Sequence, residues 1–390
     1  MDPSALTAEE LTALVRRVFQ PRSGDRALAM IVDLPDRVAP DNERWRTRRQ
    51  LATAWAEALA SARDAHGLDV HLYWYRNARS NNADLPQGAW RQDGGRAPET
   101  ADDLDDARAV PLRQVLSSHT LVMAPTEFSA TAPLKVLSRE LGFRAATMPG
   151  FGPPMIPALR LDYTEINRRV RLLKALLDRA AFADLAFTVD GSRTRSLRLD
   201  LRHRTAHASG GLFPEPGTAG NLPSGEAYIV PYEGERPAEP SRSAGLLPVQ
   251  LGEEVVEYRI EKNRAVGVVS TGPESRREAQ HLSREPAYGN VAELGLGVLG
   301  DFGILPIGEV LLDEKLGLHI AFGRSDHFGG QVGPPQFSRP EAVVHQDRVY
   351  VPAIQPRVLA ARVDLHRADG RKLKLIRDGR YVIDFDAEIA

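Results

Sequence analysis

Apolar residues near the start of the chain recur with the period of a helix. Leu11, Leu14, Val15 and Val18 share one face, and Thr7 and Glu10 have capping-box spacing, so residues 7 to 19 are predicted to form a helix. The rhythm then changes. ALAMIVDLP, residues 27 to 35, is an apolar run that reads as a buried strand, and a helical pattern from Asp41 to Ala65 separates it from a second strand, DVHLYWY, at 69 to 75. HTLVMAP at 119 to 125 and FRAATMP at 143 to 149 extend the series, with a short helical stretch through Leu134 and Leu137 between them. Strands alternating with helices predict an α/β fold with a mostly parallel sheet. The helical period is clearest in LDYTEINRRVRLLKALLDRAAF, where Ile166, Val170, Leu173 and Leu177 lie on one face and Asp162 and Glu165 again have capping spacing.

Beyond about residue 184 the pattern becomes short alternating runs between Gly and Pro: LAFTVDG, SLRLDLR, EAYIVPYEG, VEYRIEKNRAVGVVS, LHIAFG and DRVYVPA. The expected organisation is an N-terminal α/β domain over residues 1–183 and a β-rich α+β domain over 184–390, with the Pro- and Gly-rich span 214 to 245 a loop around one strand-like piece. One strand carries a puzzle. In LGLHIAFG, residues 316 to 323, Leu316, Leu318, Ile320 and Phe322 alternate with smaller residues, and His319 stands at the centre, where a buried imidazole needs a partner.

Composition narrows what that partner can be. The chain has 390 residues, 42% hydrophobic and 26% charged, enough for two domains with sizeable cores. Fifty basic and 52 acidic residues give a formal charge of -2, which argues against a nucleic-acid surface or a polybasic membrane footprint and leaves small partners. There is no cysteine, so any metal must sit on His, Asp and Glu. MDPSALTAEELTALV has no basic n-region or apolar h-region, and no long apolar run follows; a cytoplasmic protein is expected.

HQDRVYV places His345 and Asp347 two apart on a predicted strand, hence on one face and able to reach one metal ion, with His319 as a third ligand. Glu226, in GNLPSGEAYIVP, and Glu293, in NVAELGLGVLGDFG, each stand beside a glycine-bearing turn where an anion needs a cation. Other features carry less. Gly295, Gly297 and Gly300 spell GxGxxG, but no long strand precedes them and Pro306 forbids the helix a dinucleotide site needs. Tyr73, Trp74 and Tyr75 read as strand core or interface, His203 and His207 as surface residues, and Lys315 as solvated; His66, His71, His119, His281 and His366 form no constellation.

GNLPSGE (220 to 226), NVAELGLG (290 to 297), DEK followed by HIAFG (313 to 323) and HQD (345 to 347) stand in the order found in the M29 metallo-aminopeptidases, the aminopeptidase T and aminopeptidase S group, which the chain resembles over most of its length. The resemblance implies that Glu226, Glu293, His319, His345 and Asp347 bind two divalent ions (Zn, Co or Mn), that a peptide or related small molecule is hydrolysed at its N-terminal residue, and that the protein is a homodimer. Glu314 is then a candidate proton shuttle. Where that family usually has a tyrosine to steady the oxyanion, this chain has Asp326, so His327, or Arg324, is expected to supply the donor. Two alternatives remain open. His319, His345 and Asp347 alone would make the 2-His-1-carboxylate triad of an iron dioxygenase, and 2,5-dihydroxypyridine dioxygenases look like relatives on this scaffold; a catalytically inactive peptide-binding protein is the other.

Overall fold

The structure, a computed structural model, describes residues 5 to 386; the first four residues of the N-terminal segment, read above for a leader, lie outside that range. The chain is α/β and divides into two compact units, Met1–Ile166 with Gly211–Ser224, and Asn167–Gly210 with Gly225–Ala390. No helix among the described residues is long and apolar enough to cross a membrane.

The first unit is built on a seven-stranded mixed sheet. Ala27–Leu34 lies at its centre, parallel to Asp69–Arg76 on one side and to Leu121–Thr126 on the other, with Arg144–Pro149 and Ala219–Asn221 continuing in parallel and Gly88–Arg91 and Val110–Pro111 closing the opposite edge antiparallel. The uninterrupted apolar run of the central strand follows from burial on both faces. Helix Ala8–Phe19 starts as its sequence dictates: Thr7 Oγ1 accepts the Glu10 N–H at 3.1 Å and the Glu10 carboxylate accepts the Thr7 N–H at 2.9 Å. The order of strands reverses beside Ala27–Leu34, where open α/β sheets commonly bind ligands. Here Asp33 accepts the N–H groups of Glu127 (2.8 Å) and Phe128 (3.0 Å), so the protein's own carboxylate takes those donors. Arg144, 2% exposed, forms an ion pair with the buried Asp25 and donates to the Phe19 carbonyl at 2.7 Å.

The second unit holds two antiparallel sheets. Eight strands run in the order Arg264–Val268, Glu254–Glu261, Ala244–Leu251, Arg193–Asp200, Ala180–Val189, Val358–Arg367, Lys372–Arg377 and Arg380–Tyr381. The smaller sheet has five: His345–Val349, Leu318–Gly323, Val291–Gly297, Glu226–Ile229 and His207–Ser209. Helix Pro273–Arg284, unanticipated from the sequence, interrupts this β-rich unit; only Ser275 and Leu282 are buried among its residues, too few to mark a helical face.

Candidate metal centre

Pairing in the five-stranded sheet explains why His319 is buried. Tyr228 lies opposite Gly295, Gly295 opposite His319 and His319 opposite Val349; Glu226 lies opposite Gly297, Glu293 opposite Ala321, Ala321 opposite Asp347, and Gly323 opposite His345. Directly paired residues of an antiparallel sheet project from the same face, and so do residues two apart on one strand. Glu226, Tyr228, Glu293, His319, His345 and Asp347 therefore share one face, interspersed with Gly295, Gly297, Ala321 and Gly323. The opposite face presents Ala227, Ile229, Leu294, Leu296, Leu318, Ile320 and Phe322, all buried.

The small residues clear room for the polar ones. A Cβ added at Gly295 would come within 2.5 Å of His319 Cδ2 and closer still to Nε2 and Cε1, so the imidazole lies flat over a position that tolerates only hydrogen. Its Nε2 sits 3.1 Å from Glu293 Oε1 and 3.5 Å from Glu226 Oε2, while the other Glu293 oxygen faces His345 Nε2 at 3.3 Å. His345 Nε2 is 3.7 Å from Asp347 Oδ1, beyond hydrogen-bond range, and His345 Nδ1 bonds the Arg324 carbonyl at 2.7 Å. Two clusters with ligating atoms within 4.8 Å of one another result, Glu226 with Glu293 and His319, and Glu293 with His345 and Asp347.

Electrostatics show how strongly the site favours a cation. Burial would lower the His319 pKa, but its hydrogen bond to Glu293 and the charges of Glu226, Glu293 and Asp347 push it up to about 9. His345 rises for the same reason against the same burial penalty, through Asp347 and Glu293. The Glu293 and Asp347 carboxyls, which burial would raise, are held well below their ordinary range by the two imidazoles. Protons on the histidines thus answer the carboxylates. Glu226 Oε2 and Asp347 Oδ1 are nevertheless buried without a hydrogen-bond partner, a cost normally met by a ligand or water. Two imidazoles, three carboxylates and two orphaned oxygens fit divalent cations, which would replace those protons.

Lys315 departs from the sequence expectation. It is fully buried, with Nζ 2.6 Å from Glu226 Oε1 and also bonded to Glu314 Oε1. Burial disfavours its charge, yet the two carboxylates hold the ammonium protonated. Glu314 is pushed up to about 8, first by burial and then by the charges of Glu226 and Asp347, against the pull of Lys315.

The segment after the His319 strand borders the site. Glu233 accepts hydrogen bonds from Asn290 Nδ2 (2.7 Å), Ser325 Oγ (2.6 Å), the Gln331 N–H (2.5 Å) and Arg204 (3.2 Å), which ties both ends of the turn carrying Asp326, His327 and Phe328. Arg324 is committed to Asp326 at 2.6 Å. His327 is pushed down to about 4 by burial and by the charges of His345 and Arg324, so it is neutral at pH 7; its Nδ1 lies 3.5 Å from Asp326 Oδ1. Phe328 packs edge-on against Tyr228 (4.8 Å between ring centroids) and His345 (5.5 Å), and His207 stacks on Tyr228 at 5.1 Å and bonds the Phe328 carbonyl at 3.0 Å. His207 is thus part of the wall beside the site rather than a surface residue, and Tyr228, His207, Lys315 and Glu233 are contributors that sequence reasoning missed. Only Tyr228 left a local signal, two residues after Glu226 on one strand.

No protein-family model matches the chain, and no curated protein matches it in sequence. Among solved structures it is similar to 2,5-dihydroxypyridine dioxygenase from Pseudomonas putida KT2440, with a TM-score of 0.60 and 16% identity over 97% of this chain and 99% of that one. It is also similar to wild-type AmpT from Thermus thermophilus, with a TM-score of 0.55 and 18% identity over 96% of this chain and 99% of that one. Likeness at these identities establishes a shared fold, and the chemistry has to be read from the side chains.

Proposed function

We propose that this chain is a metal-dependent hydrolase of the aminopeptidase type, holding two divalent ions, Zn, Co or Mn, on Glu226, Glu293, His319, His345 and Asp347. The carrying observation is Glu293, whose two oxygens face different imidazoles, at 3.1 and 3.3 Å, so that one carboxylate belongs to both three-residue clusters. AmpT, an M29 aminopeptidase, has the same fold. Divalent ions bound there would acidify a water and polarise a substrate carbonyl. The chain's own groups do the rest. With divalent charge bound beside it to offset the Glu226 and Asp347 charges that, after burial, raise its carboxyl, Glu314, fixed by Lys315 beside Glu226, would be ionised to accept the proton of the attacking water and deliver it to the departing amine. The aromatic wall of Tyr228, Phe328 and His207, with His327 beside it, excludes water from one side of a short peptide's first residue. The test is metal content per chain together with hydrolysis of aminoacyl amides: about two ions and turnover support the reading, and a loaded protein inert toward a panel of amides refutes it.

A second reading is favoured by Lys315. Its ammonium already neutralises one Glu226 oxygen, and a ligand set without Glu226 contains His319, His345 and Asp347, the 2-His-1-carboxylate set suited to one iron. A similar structure is 2,5-dihydroxypyridine dioxygenase, so the corresponding substrate would be a dihydroxylated aromatic ring. One iron per chain with oxygen uptake on such a ring supports this reading.

A further inference from the structure

The site is crowded with acceptors and poor in donors. Glu226, Glu293, Glu314 and Asp347 bring eight carboxylate oxygens to a small region, whereas amide hydrolysis places new negative charge on the substrate's carbonyl oxygen and needs a donor aimed at it. The donors nearby are mostly spent. Lys315 Nζ is divided between Glu226 and Glu314, His345 Nδ1 donates to the Arg324 carbonyl, and Arg324 is bonded to Asp326. His327, the donor expected from the sequence, turns Nδ1 toward Asp326 Oδ1 at 3.5 Å and its ring packs on Phe328 at 3.8 Å between centroids. Tyr228 is different. It is more than nine-tenths buried, it projects from the ligand face two residues after Glu226 and across Gly295 from His319, and its hydroxyl has no hydrogen-bond partner among the described residues.

We propose that the Tyr228 hydroxyl is the hydrogen-bond donor to the substrate's carbonyl oxygen. This rests on the hydrolase reading and adds a catalytic residue to it. The ring cannot easily turn away, because Phe328 packs edge-on against one side at 4.8 Å and His207 stacks against it at 5.1 Å. As the water oxygen bonds to the carbonyl carbon, the C=O π pair moves to oxygen and meets the phenol O–H, while the water proton passes to Glu314. When the pair returns, the C–N bond breaks and the amine nitrogen takes the proton from Glu314. Tyr228 keeps its own proton throughout. Gly295 serves this arrangement as well as His319, since it puts bare backbone, not a side chain, at the position between Tyr228 and His319 on the ligand face.

The experiment is Tyr228→Phe, which removes one oxygen and preserves the ring packing, compared with the parent under saturating metal. The expected result is a kcat lower by about 100- to 1,000-fold with KM changed by less than about threefold. Metal content should be unchanged. A readout independent of turnover is affinity for a phosphinate dipeptide analogue, whose tetrahedral anionic oxygen stands where the carbonyl oxygen would be: Tyr228→Phe should lose it by a comparable factor while binding a free amino acid product as before. A variant as fast as the parent, or one binding the phosphinate equally tightly, overturns the assignment and leaves the hydrolase reading standing. A metal-loaded parent that neither cleaves amides nor binds the phosphinate overturns the hydrolase reading, and the Tyr228 assignment falls with it.

Discussion

Replacing Gly295 with alanine is the smallest change that should dismantle the centre. The added methyl would stand 2.5 Å from His319 Cδ2, with two other ring atoms nearer, whereas ordinary contact begins at 3.4 Å. The imidazole must therefore retreat by at least 0.9 Å, the difference between those distances. Metal–nitrogen bonds of roughly 2.0 to 2.1 Å tolerate about 0.2 Å of misplacement, so the displacement is several times what ligation allows. His319 has nowhere to go at low energy: the ring is fully buried and its strand is paired on both sides. Overpacking of this kind typically costs about 1–3 kcal/mol, and in a unit of this size a kilocalorie shifts Tm by roughly 2–4 °C. The variant should thus stay folded, melt up to about 12 °C lower, and bind metal at least about 100-fold more weakly, since even disturbing a group behind a ligand costs 10- to 100-fold. Calorimetric titration of the metal-stripped protein with Zn or Mn, paired with thermal melts, separates the two effects. Gly267→Ala is the control, because a Cβ there meets nothing within 4 Å. Metal affinity within threefold of the parent in Gly295→Ala would refute the claim that this glycine positions His319.

The remaining predictions probe other parts of the molecule. Arg144→Met leaves Asp25 buried without its guanidinium and should cost about 3–5 kcal/mol at neutral pH by urea denaturation. In the parent, burial would raise Asp25, but hydrogen bonds from Thr120, Arg22 and Arg144 hold it below the ordinary carboxylate range, so its contribution is present above the unfolded pKa of about 3.9 and lost as pH falls through the folded value. The variant, with burial less opposed, should close part of the gap as the medium is acidified below about pH 4; a constant gap between pH 7 and pH 3 speaks against the ion pair as the cause. Lys315→Met removes the ammonium from Glu226 and Glu314 and should destabilise the metal-stripped protein by about 3–5 kcal/mol, with part of the loss recovered on adding a divalent ion; identical melts for variant and parent would contradict this. Asp347→Ala should lose metal and activity while keeping its far-ultraviolet circular dichroism, and collapse of the whole chain on mild chelation would instead make the metal structural.

Much of this architecture was legible because two periods suffice to read it. The helix at the N-terminus and the strands through Ile31, Tyr73 and Val122 appear where the 3.6- and apolar-run patterns put them, and the five polar residues singled out at the centre come together on one sheet face. Lys315 was misjudged as solvated since its environment is non-local: it lies in a charged Asp-Glu-Lys triplet, and what buries it is Glu226, 89 positions away. His207 misled in the same way, its partners being Tyr228 on the paired strand and Phe328, 121 residues distant. Helix Pro273–Arg284 escaped notice because a helix that buries so few apolar groups writes almost no period into its sequence.

The two-faced sheet has a consequence for how this protein can change. Past the bulge between Val291 and Glu293, the residues from Glu293 to Gly297 and those from Leu318 to Phe322 alternate between the ligand face and the apolar core, all of them buried. Substitutions can tune such a surface one side chain at a time. Insertion or deletion of a single residue cannot, because it exchanges the two faces at once and would drive Glu293 or His319 into the packing around Tyr258 and Tyr288 while turning Leu294 and Ile320 toward the carboxylates. Length variation should therefore be confined to exposed stretches such as residues 235 to 240 and the turn at 368 to 371, which are also the places to insert a tag or a fused domain without disturbing the centre.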